Sequence, residues 1–404
     1  MTTLDAASQI PEDPRAKRAV AILIWAQAVL GAQMPVHFIL GGLAGNHLAA
    51  NPALATLPIS MIVFGSMLAA PLISTLMGKW GRRTGFLIGA CAGALGGALA
   101  AYALVVESFA LFVTASLLTG IYMAAHNLYR FAAADLASDT FRPKAISWVM
   151  AGGLGAALLG PEFVKLFGGA LEPVPYAGAY VFLILLNIVG AFPLLFLEIP
   201  PQPRPSHGHP AGRPWREILA DPRVPVAMLC AMLTYALMNL MMTSTPLAMI
   251  ICGFMTGDAA DVVRAHVLAM YIPSFFTGPL IARYGAPKII FVGLALLAGA
   301  AVIGLTGIQL GNFYAALMMI GVGWNFGFIG ATTMLASAHR PEERSRVQGV
   351  NDFLVFGTVT IASFGSGALL TGIGWHAVNI AVLPGVALAV LSLLWLMRKS
   401  RNPA

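Results

Sequence analysis

Long apolar stretches alternate with short polar joins along almost the whole chain. A helix needs roughly 20 mainly apolar residues to cross a bilayer, and the sequence holds about twelve stretches of that kind. They lie near 19–43, 54–77, 84–105, 108–129, 145–168, 177–198, 224–254, 262–282, 287–307, 311–334, 347–372 and 376–397. Hydrophobic residues make up 58% of the chain and charged residues 10%, a balance unlike that of soluble globular proteins. The pattern predicts an all-α polytopic membrane protein with twelve transmembrane helices.

Lysine and arginine are concentrated at the termini and in every second join. All 23 of them, except Lys165 and Arg264, fall in segments that share one side of the membrane. The positive-inside rule assigns that side to the cytoplasm, so both termini are predicted to be cytoplasmic. The same rule explains the net charge of +7, and nucleic acid is not expected as a partner. The predicted segments are a tail at 1–18, a six-helix half at 19–198, a cytoplasmic linker at 199–223, a second six-helix half at 224–397 and a tail at 398–404.

Two sequence patterns that occur once in each half indicate that the halves are repeats of each other. Basic joins with a central glycine occur at Gly81 and Gly285, and the tripeptide Leu-Ala-Ser occurs before a basic turn at both 136–138 and 335–337. Weak internal repeats are typical of secondary transporters, whose substrate site lies between the repeats near the membrane midplane.

The join after the second predicted helix resembles the loop signature of the major facilitator superfamily, Gly-x-x-x-Asp-Arg/Lys-x-Gly-Arg-Arg. The matching residues are Lys79, Gly81, Arg82 and Arg83. The chain departs from the signature at Ser74 and Gly78, and so lacks an acidic charge that helps to lock the inner gate in that family. The resemblance implies the major facilitator fold over nearly the whole chain, with helices 1, 4, 7 and 10 lining the central path. It also implies two gating loops, formed by Lys79, Gly81, Arg82, Arg83, Gly278, Arg283 and Gly285.

Two short motifs place soft metal ligands in the second half. Met238 and Met242 are four residues apart in the predicted seventh helix, and His266 and Met270 have the same spacing in the eighth. That spacing puts the two side chains of each pair on one helix face, about 5–6 Å apart at Cβ. Thioether sulfur and imidazole prefer the cuprous ion to hard cations. A methionine stripe at helical spacing is also ordinary core packing, so both interpretations stay open at this stage.

Further candidate ligands lie elsewhere in the chain. A Met-x-x-His pair occurs at Met34 and His37 in the first predicted helix, and again at Met123 and His126 in the fourth. Polar side chains at membrane depth normally face a cavity or a partner, although hydrogen bonds between helices explain these histidines equally well. The other candidates for a secondary metal or pore site are Met249, Cys230, His207 and His209.

The paired motif in helices 7 and 8 resembles that of the CcoA-type copper importers, a branch of the major facilitator superfamily. All four positions match, at Met238, Met242, His266 and Met270. The resemblance implies import of copper across the bacterial inner membrane, toward assembly of a haem-copper oxidase. It also implies no permanently bound cofactor, with copper as the transported ion. The expected partners are the lipid bilayer, a periplasmic copper donor and a cytoplasmic copper chaperone.

Two other functions fit the same sequence. The chain could be a major facilitator transporter, an importer or an exporter, of a small organic solute or drug, with the methionines as a pliable apolar wall beside Tyr235 and Trp324. It could instead be a membrane-embedded assembly factor that holds a metal without moving it. An enzyme is not expected, because no phosphate loop, nucleophile elbow or His-Glu-x-x-His motif is present.

Overall fold

The computed structural model describes residues 14–129, 132–133, 142–198, 213–340 and 343–401. Regular structure within these ranges is entirely helical. Eleven segments of the described chain are long and apolar enough to cross a membrane. One further helix, Arg142–Phe167, lies where the fifth crossing is predicted. The prediction of an all-α polytopic membrane protein is therefore confirmed, while His207 and His209 of the predicted linker lie outside the described residues.

The first half is built from long helices that run back and forth across the bundle. They are α1 (Pro14–Val29), α2 (Gln33–Leu48), α3 (Leu57–Trp80), α4 (Arg82–Val105), α5 (Phe109–His126), α6 (Arg142–Phe167) and α7 (Ala177–Ala191). A 3-10 turn, Leu30–Ala32, joins α1 directly to α2. These two helices therefore act as one crossing.

The second half repeats this arrangement after a short helix. Its elements are α8 (Trp215–Ala220), α9 (Arg223–Ile251), α10 (Thr256–Tyr271), α11 (Ser274–Tyr284), α12 (Ala286–Thr306), α13 (Leu310–Ala338), α14 (Arg344–Gly372) and α15 (Trp375–Arg401). The helices α10 and α11 form one crossing that is interrupted at Pro273. Proline interrupts a helix because it lacks the N–H that would bond the preceding turn.

The two glycines of the basic joins adopt the same backbone conformation. Gly81 has φ 87° and ψ 157°, and Gly285 has φ 85° and ψ 146°. Residues with a Cβ rarely adopt such angles, so glycine is needed at both turns. Each glycine ends one long helix and begins the next, α3 to α4 in the first half and α11 to α12 in the second. This match supports the predicted pseudo-repeat. We call the end of the bundle that carries these two joins the basic end.

Small residues bring neighbouring helices close together. A Cβ at Gly293 in α12 would lie only 2.4 Å from the backbone nitrogen of Gly327 in α13. Large apolar side chains point outward instead, as at Leu72, which is 69% exposed, and Ile361, which is 73% exposed. Close packing through small residues with an apolar outer surface is the arrangement that a bilayer favours.

Candidate functional site

A cavity lies between the two halves near the middle of the bundle. Its walls come from the first half through α1, α2, α3, α5 and α6, and from the second half through α9, α10 and α14. Its lining is mostly apolar with a few polar groups, which is the usual composition of small-molecule sites in proteins. The cavity therefore has the position and the lining of a substrate site.

Five methionines line this cavity, and four of them are nearly fully buried. The first half contributes Met34 and Met123, and the second half contributes Met238, Met242 and Met270. Three of the four residues predicted as primary metal ligands, Met238, Met242 and Met270, therefore share one cavity. Three of the secondary candidates, Met34, Met123 and His126, line the same space.

His266 does not belong to the described lining of that cavity. Its ring is fully buried, and Nδ1 lies 2.7 Å from the backbone oxygen of Leu317 on α13. The i, i+4 spacing puts His266 and Met270 on one side of α10. However, α10 packs against α13 on that side, and the imidazole is used in this contact. The structure thus brings together the three predicted thioethers without the predicted imidazole.

Three further described metal candidates lie outside the cavity lining. His37 is buried with its ring 5.6 Å from that of Tyr180, while Met249 and Cys230 are buried in the core away from the cavity lining. His126 lines the cavity and packs against neighbouring tyrosine rings. Among the described residues, no group of three or more His, Cys, Asp or Glu side chains is arranged to hold a metal ion.

Carboxamide and phenol groups give the cavity its polar contacts. Gln27, Asn127, Asn239, Tyr235 and Tyr271 all belong to its lining. Asn239 donates from Nδ2 to the hydroxyl of Thr243 over 3.0 Å, which orients the amide. Gln27, Asn239 and Tyr271 were not singled out from the sequence. Gln27 and Asn239 could have been identified from the sequence, because a carboxamide inside an apolar stretch usually faces a cavity or a partner.

An aromatic cluster extends from the cavity into the second half. The ring of Tyr235 lies 5.5 Å from Trp324, 5.2 Å from Phe328 and 6.0 Å from Phe356, each with edge-on geometry. Trp324 and Phe328 are stacked with an interplanar angle of 12°. Such ring contacts stabilise packing beyond simple burial, so the cluster holds Tyr235 in a defined orientation at the cavity wall.

The interrupted eighth crossing is tied to α13 by one buried amide. Nδ2 of Asn325 donates to the backbone oxygen of Met270 and to Oγ of Ser274, both over 2.7 Å. Oδ1 of Asn325 accepts from Thr277 over 2.6 Å. A proline break frees backbone groups that must be satisfied inside a membrane. Asn325 bonds one of these backbone groups, the Met270 oxygen, and so fixes the end of α10, where Met270 faces the cavity.

The end of the bundle opposite the basic end is closed by ion pairs between the halves. Lys165 at the end of α6 donates to Asp261 in α10 over 2.6 Å. Arg264 in α10 pairs with Glu162 in α6, and also lies 3.4 Å from Asp261. We call these four residues the ion-pair cluster. Lys165 and Arg264 are the two cations that depart from the charge distribution of the sequence, and this pairing accounts for their position.

Hydroxyl groups close the same end on the other side of the bundle. Thr56 donates to the backbone oxygen of Ser363 over 3.1 Å, and Ser60 bonds to the Ser363 hydroxyl over 3.0 Å. These contacts join the start of the second crossing to α14 of the second half. Together with the ion-pair cluster, they hold the halves against each other at this end.

The predicted gating loops lie at the basic end. Lys79, Arg83, Gly278 and Arg283 are exposed there, while Arg82 and the turn glycines Gly81 and Gly285 are partly buried. The guanidinium of Arg283 lies over the ring of Tyr284, 5.2 Å from its centroid. The structure therefore groups these residues on one face. Their part in gating stays a prediction.

The linker side of the basic end is fixed by a two-point ion pair. Nε and Nη2 of Arg213 each lie 2.8 Å from a carboxylate oxygen of Glu343. The backbone nitrogens of Arg213 and Arg340 also donate to this carboxylate. The bond from the Arg213 guanidinium lowers the pKa of Glu343 far below its ordinary value. The charged carboxylate therefore anchors residue 213 to the start of α14.

Two helical halves around a buried cavity, closed at one end, define a membrane transporter for a small solute. The chain belongs to the Major Facilitator Superfamily, whose family model matches residues 19–263 and 255–404. The crystal structure of a point mutant of the nucleoside transporter NupG has the same fold, with a TM-score of 0.73 and 16% identity. The match covers 95% of this chain and 99% of that one. The likeness to NupG shows the fold, and membership of the family points to a transporter, in keeping with the expectation that the chain is not an enzyme.

Two sequence relatives span nearly the whole chain. The riboflavin transporter RfnT of Brucella anthropi is 42% identical over 381 residues, covering 94% of this chain and 96% of that protein. The uncharacterized MFS-type transporter YddS of Bacillus subtilis is 27% identical over 409 residues, covering 96% of this chain and 93% of that protein.

The prediction of copper import is wrong. A protein 42% identical over almost the full length is a riboflavin transporter, so the relationship favours the alternative of an organic solute. Membership of the CcoA-type branch is not confirmed, and copper transport, metal binding and oxidase assembly lose their support with it. The physical reason for the error is that methionines spaced for a soft metal site are equally suited to an apolar wall.

Proposed function

We propose that this protein carries riboflavin, or a closely related neutral heteroaromatic solute, across the membrane. The 42% identity to RfnT supports this substrate class. The observation that carries the proposal is the composition of the cavity. Its described lining includes methionines, aromatic rings and carboxamides, but no Lys, Arg, Asp or Glu.

A neutral lining favours a neutral substrate. Burying an ion away from water is costly unless an opposite charge or a metal compensates it. The described walls offer no carboxylate, ammonium or guanidinium group, whereas the imidazole of His126, the carboxamides and the phenols can hydrogen-bond an uncharged polar ring. Riboflavin is uncharged at neutral pH, and its flat ring has polar edges, so it meets these conditions.

Transport follows from movement of the two halves around this cavity. In the present conformation, the ion-pair cluster and the Ser363 contacts hold the halves together at one end. By the positive-inside rule, the basic end faces the cytoplasm of a bacterial cell and the ion-pair cluster faces outward. Rocking of the halves would separate the cluster and expose the cavity to the outside, which is alternating access around a midplane site.

The test is riboflavin uptake in a bacterium that requires external riboflavin and lacks its own importer. Val359→Trp places a large ring into the cavity, because Val359 lines it. Ile361→Trp is the matched control two residues away on α14, since Ile361 is 73% exposed on the outer surface. Expression of the wild type and of Ile361→Trp should restore saturable uptake, and Val359→Trp should abolish it at equal membrane abundance. Equal uptake with and without the wild-type protein would refute the proposed substrate.

A further inference from the structure

The five cavity methionines come from both halves of the bundle. Met123 belongs to α5 in the first half, while Met238 and Met242 belong to α9 in the second, and all three are buried at the lining. A ligand between them would contact thioethers from both halves at once. The methionines therefore line the cavity from both halves, and we call this set of five residues the methionine slot.

Thioether sulfur is suited to flat aromatic ligands. The sulfur is polarizable and makes favourable contacts with aromatic rings at about 5 Å, and the unbranched side chain adapts to the ring it meets. The wall continues from the methionines into Tyr235, which Trp324 and Phe328 hold in place. A fused ring system would meet soft, adjustable atoms on its faces and an oriented phenol beside it.

Carboxamides in the lining can form hydrogen bonds with the edge of such a ring. Gln27 from the first half and Asn239 from the second half line the same cavity, as does Asn127. Each carboxamide offers both a donor and an acceptor, which matches the alternating N–H and C=O groups on the imide edge of a heteroaromatic ring. This complementarity does not require any charge on the ligand.

We infer that the methionine slot recognises the planar heteroaromatic ring of the substrate, with the carboxamides of Gln27, Asn127 and Asn239 binding the ring edge. This inference deepens the proposed function and uses the flavin class on which that function rests. Its consequence is that the ring, and not a polyol side chain, determines binding. Because both halves supply thioethers, the ring also links the two halves while it is bound.

The test is ligand binding to the purified full-length protein in detergent, followed by fluorescence anisotropy. The probes are riboflavin and lumiflavin, which carries the same ring without the ribityl chain, with ribitol as competitor. Lumiflavin should bind saturably with an affinity within about tenfold of riboflavin, a difference of about 1.4 kcal/mol. Ribitol should not displace either ligand. Displacement by ribitol, or saturable binding of riboflavin without lumiflavin binding, would overturn the inference.

Variants locate the binding surface. Met123→Ala and Met238→Ala remove one thioether from each half, and each should weaken lumiflavin binding by about three- to tenfold. Met318→Ala is the control, because Met318 is 46% exposed on the outside of α13 and does not line the cavity. Thermal unfolding checks that all variants are folded. Unchanged lumiflavin affinity in the double variant Met123→Ala/Met238→Ala would overturn the inference.

Failure of the proposed function, riboflavin transport, can be distinguished from failure of the inference about ring binding. In that case the wild type shows no riboflavin transport, but lumiflavin binding can still be measured directly through its own fluorescence. Saturable lumiflavin binding that the two methionine variants weaken would then support the slot alone. Absence of saturable lumiflavin binding to the folded wild type would overturn the slot, whatever the transport assay shows.

Discussion

Separation of the ion-pair cluster should be the step that exposes the cavity at the outer end. Lys165 and Asp261 are 29% and 34% exposed, and Arg264 and Glu162 are 25% and 47% exposed. Pairs with this much exposure contribute about 0.2–1 kcal/mol each. At about 1.4 kcal/mol per tenfold change, removal of one pair should raise the population of the outward-open form about 1.4- to 5-fold. Asp261→Ala should have the larger effect, because Asp261 also lies 3.4 Å from Arg264.

A cysteine inside the cavity can report this opening. Val267 lines the cavity on α10, less than one turn beyond Arg264, so Val267→Cys would be reached from the outer end only after the halves separate. The reporter is placed in a background whose three native cysteines are replaced by alanine. The rate of its modification by a membrane-impermeant maleimide is then measured in intact cells with Lys165→Ala, with Asp261→Ala and with both.

The double-mutant cycle gives the decisive comparison. Each single variant should raise the modification rate by the factors above, and the double variant should raise it by less than the product, because the two residues share one interaction. The exchange Lys165→Asp/Asp261→Lys should bring the rate only part of the way back, because the introduced lysine lies beside Arg264. Rates equal to that of the reporter alone would show that the cluster does not hold the outer end closed, and fully additive effects would show that Lys165 and Asp261 do not act as a pair.

Three further predictions concern stability, measured as thermal unfolding of the purified protein. Asn325→Leu should destabilise the fold by about 1–3 kcal/mol, since it leaves buried polar groups at the helix interruption unpaired. An unchanged unfolding midpoint would contradict the role of this amide. Gly293→Ala should destabilise the fold by about 1–3 kcal/mol through overpacking. Gly311→Ala should not, because nothing lies within 4 Å of the added Cβ. Equal effects of the two variants would contradict the close approach of α12 and α13. Glu343→Gln should lower the unfolding midpoint at neutral pH, because the paired carboxylate stabilises the fold. Below pH 4.5, the ordinary pKa of this carboxyl, the difference in midpoint from wild type should shrink as the pH falls toward the lowered pKa of the paired Glu343. A difference that grows in acid would contradict the pairing with Arg213.

The architecture was predictable because the bilayer imposes it. Backbone groups must be satisfied within each crossing, so a long apolar run indicates one helix with little ambiguity. The glycines at 81 and 285 could be recognised as equivalent from their basic surroundings, and the structure gives both the same positive φ. These features depend on local sequence, which is where single-sequence inference is strongest.

The site was predicted in part. Spacing alone brought Met238, Met242 and Met270 into consideration, and they do share a cavity. The same spacing could not tell which neighbour the His266 ring would meet, since α10 contacts both the cavity and α13. Nor could it separate a thioether site for a soft metal from a thioether wall for an organic ring, because both need the same residues.

The ion-pair cluster was not predicted, for a different reason. Lys165 and Asp261 are 96 residues apart in sequence, and Glu162 and Arg264 are 102 apart, so no local pattern joins them. Their signal was present in the charge distribution, where Lys165 and Arg264 stood apart from all other cations. Each of these two cations needs a carboxylate partner, and Asp261 and Glu162 supply it from the facing half.

Riboflavin counterflow into liposomes that contain only the purified protein tests the proposed substrate most directly. Liposomes loaded with unlabelled riboflavin should accumulate external labelled riboflavin transiently, and Val359→Trp should prevent this while Ile361→Trp should not. Counterflow needs no energy source and does not depend on transport direction or on other cellular proteins. No accumulation above protein-free liposomes, with a folded and correctly inserted protein, would contradict riboflavin as the substrate.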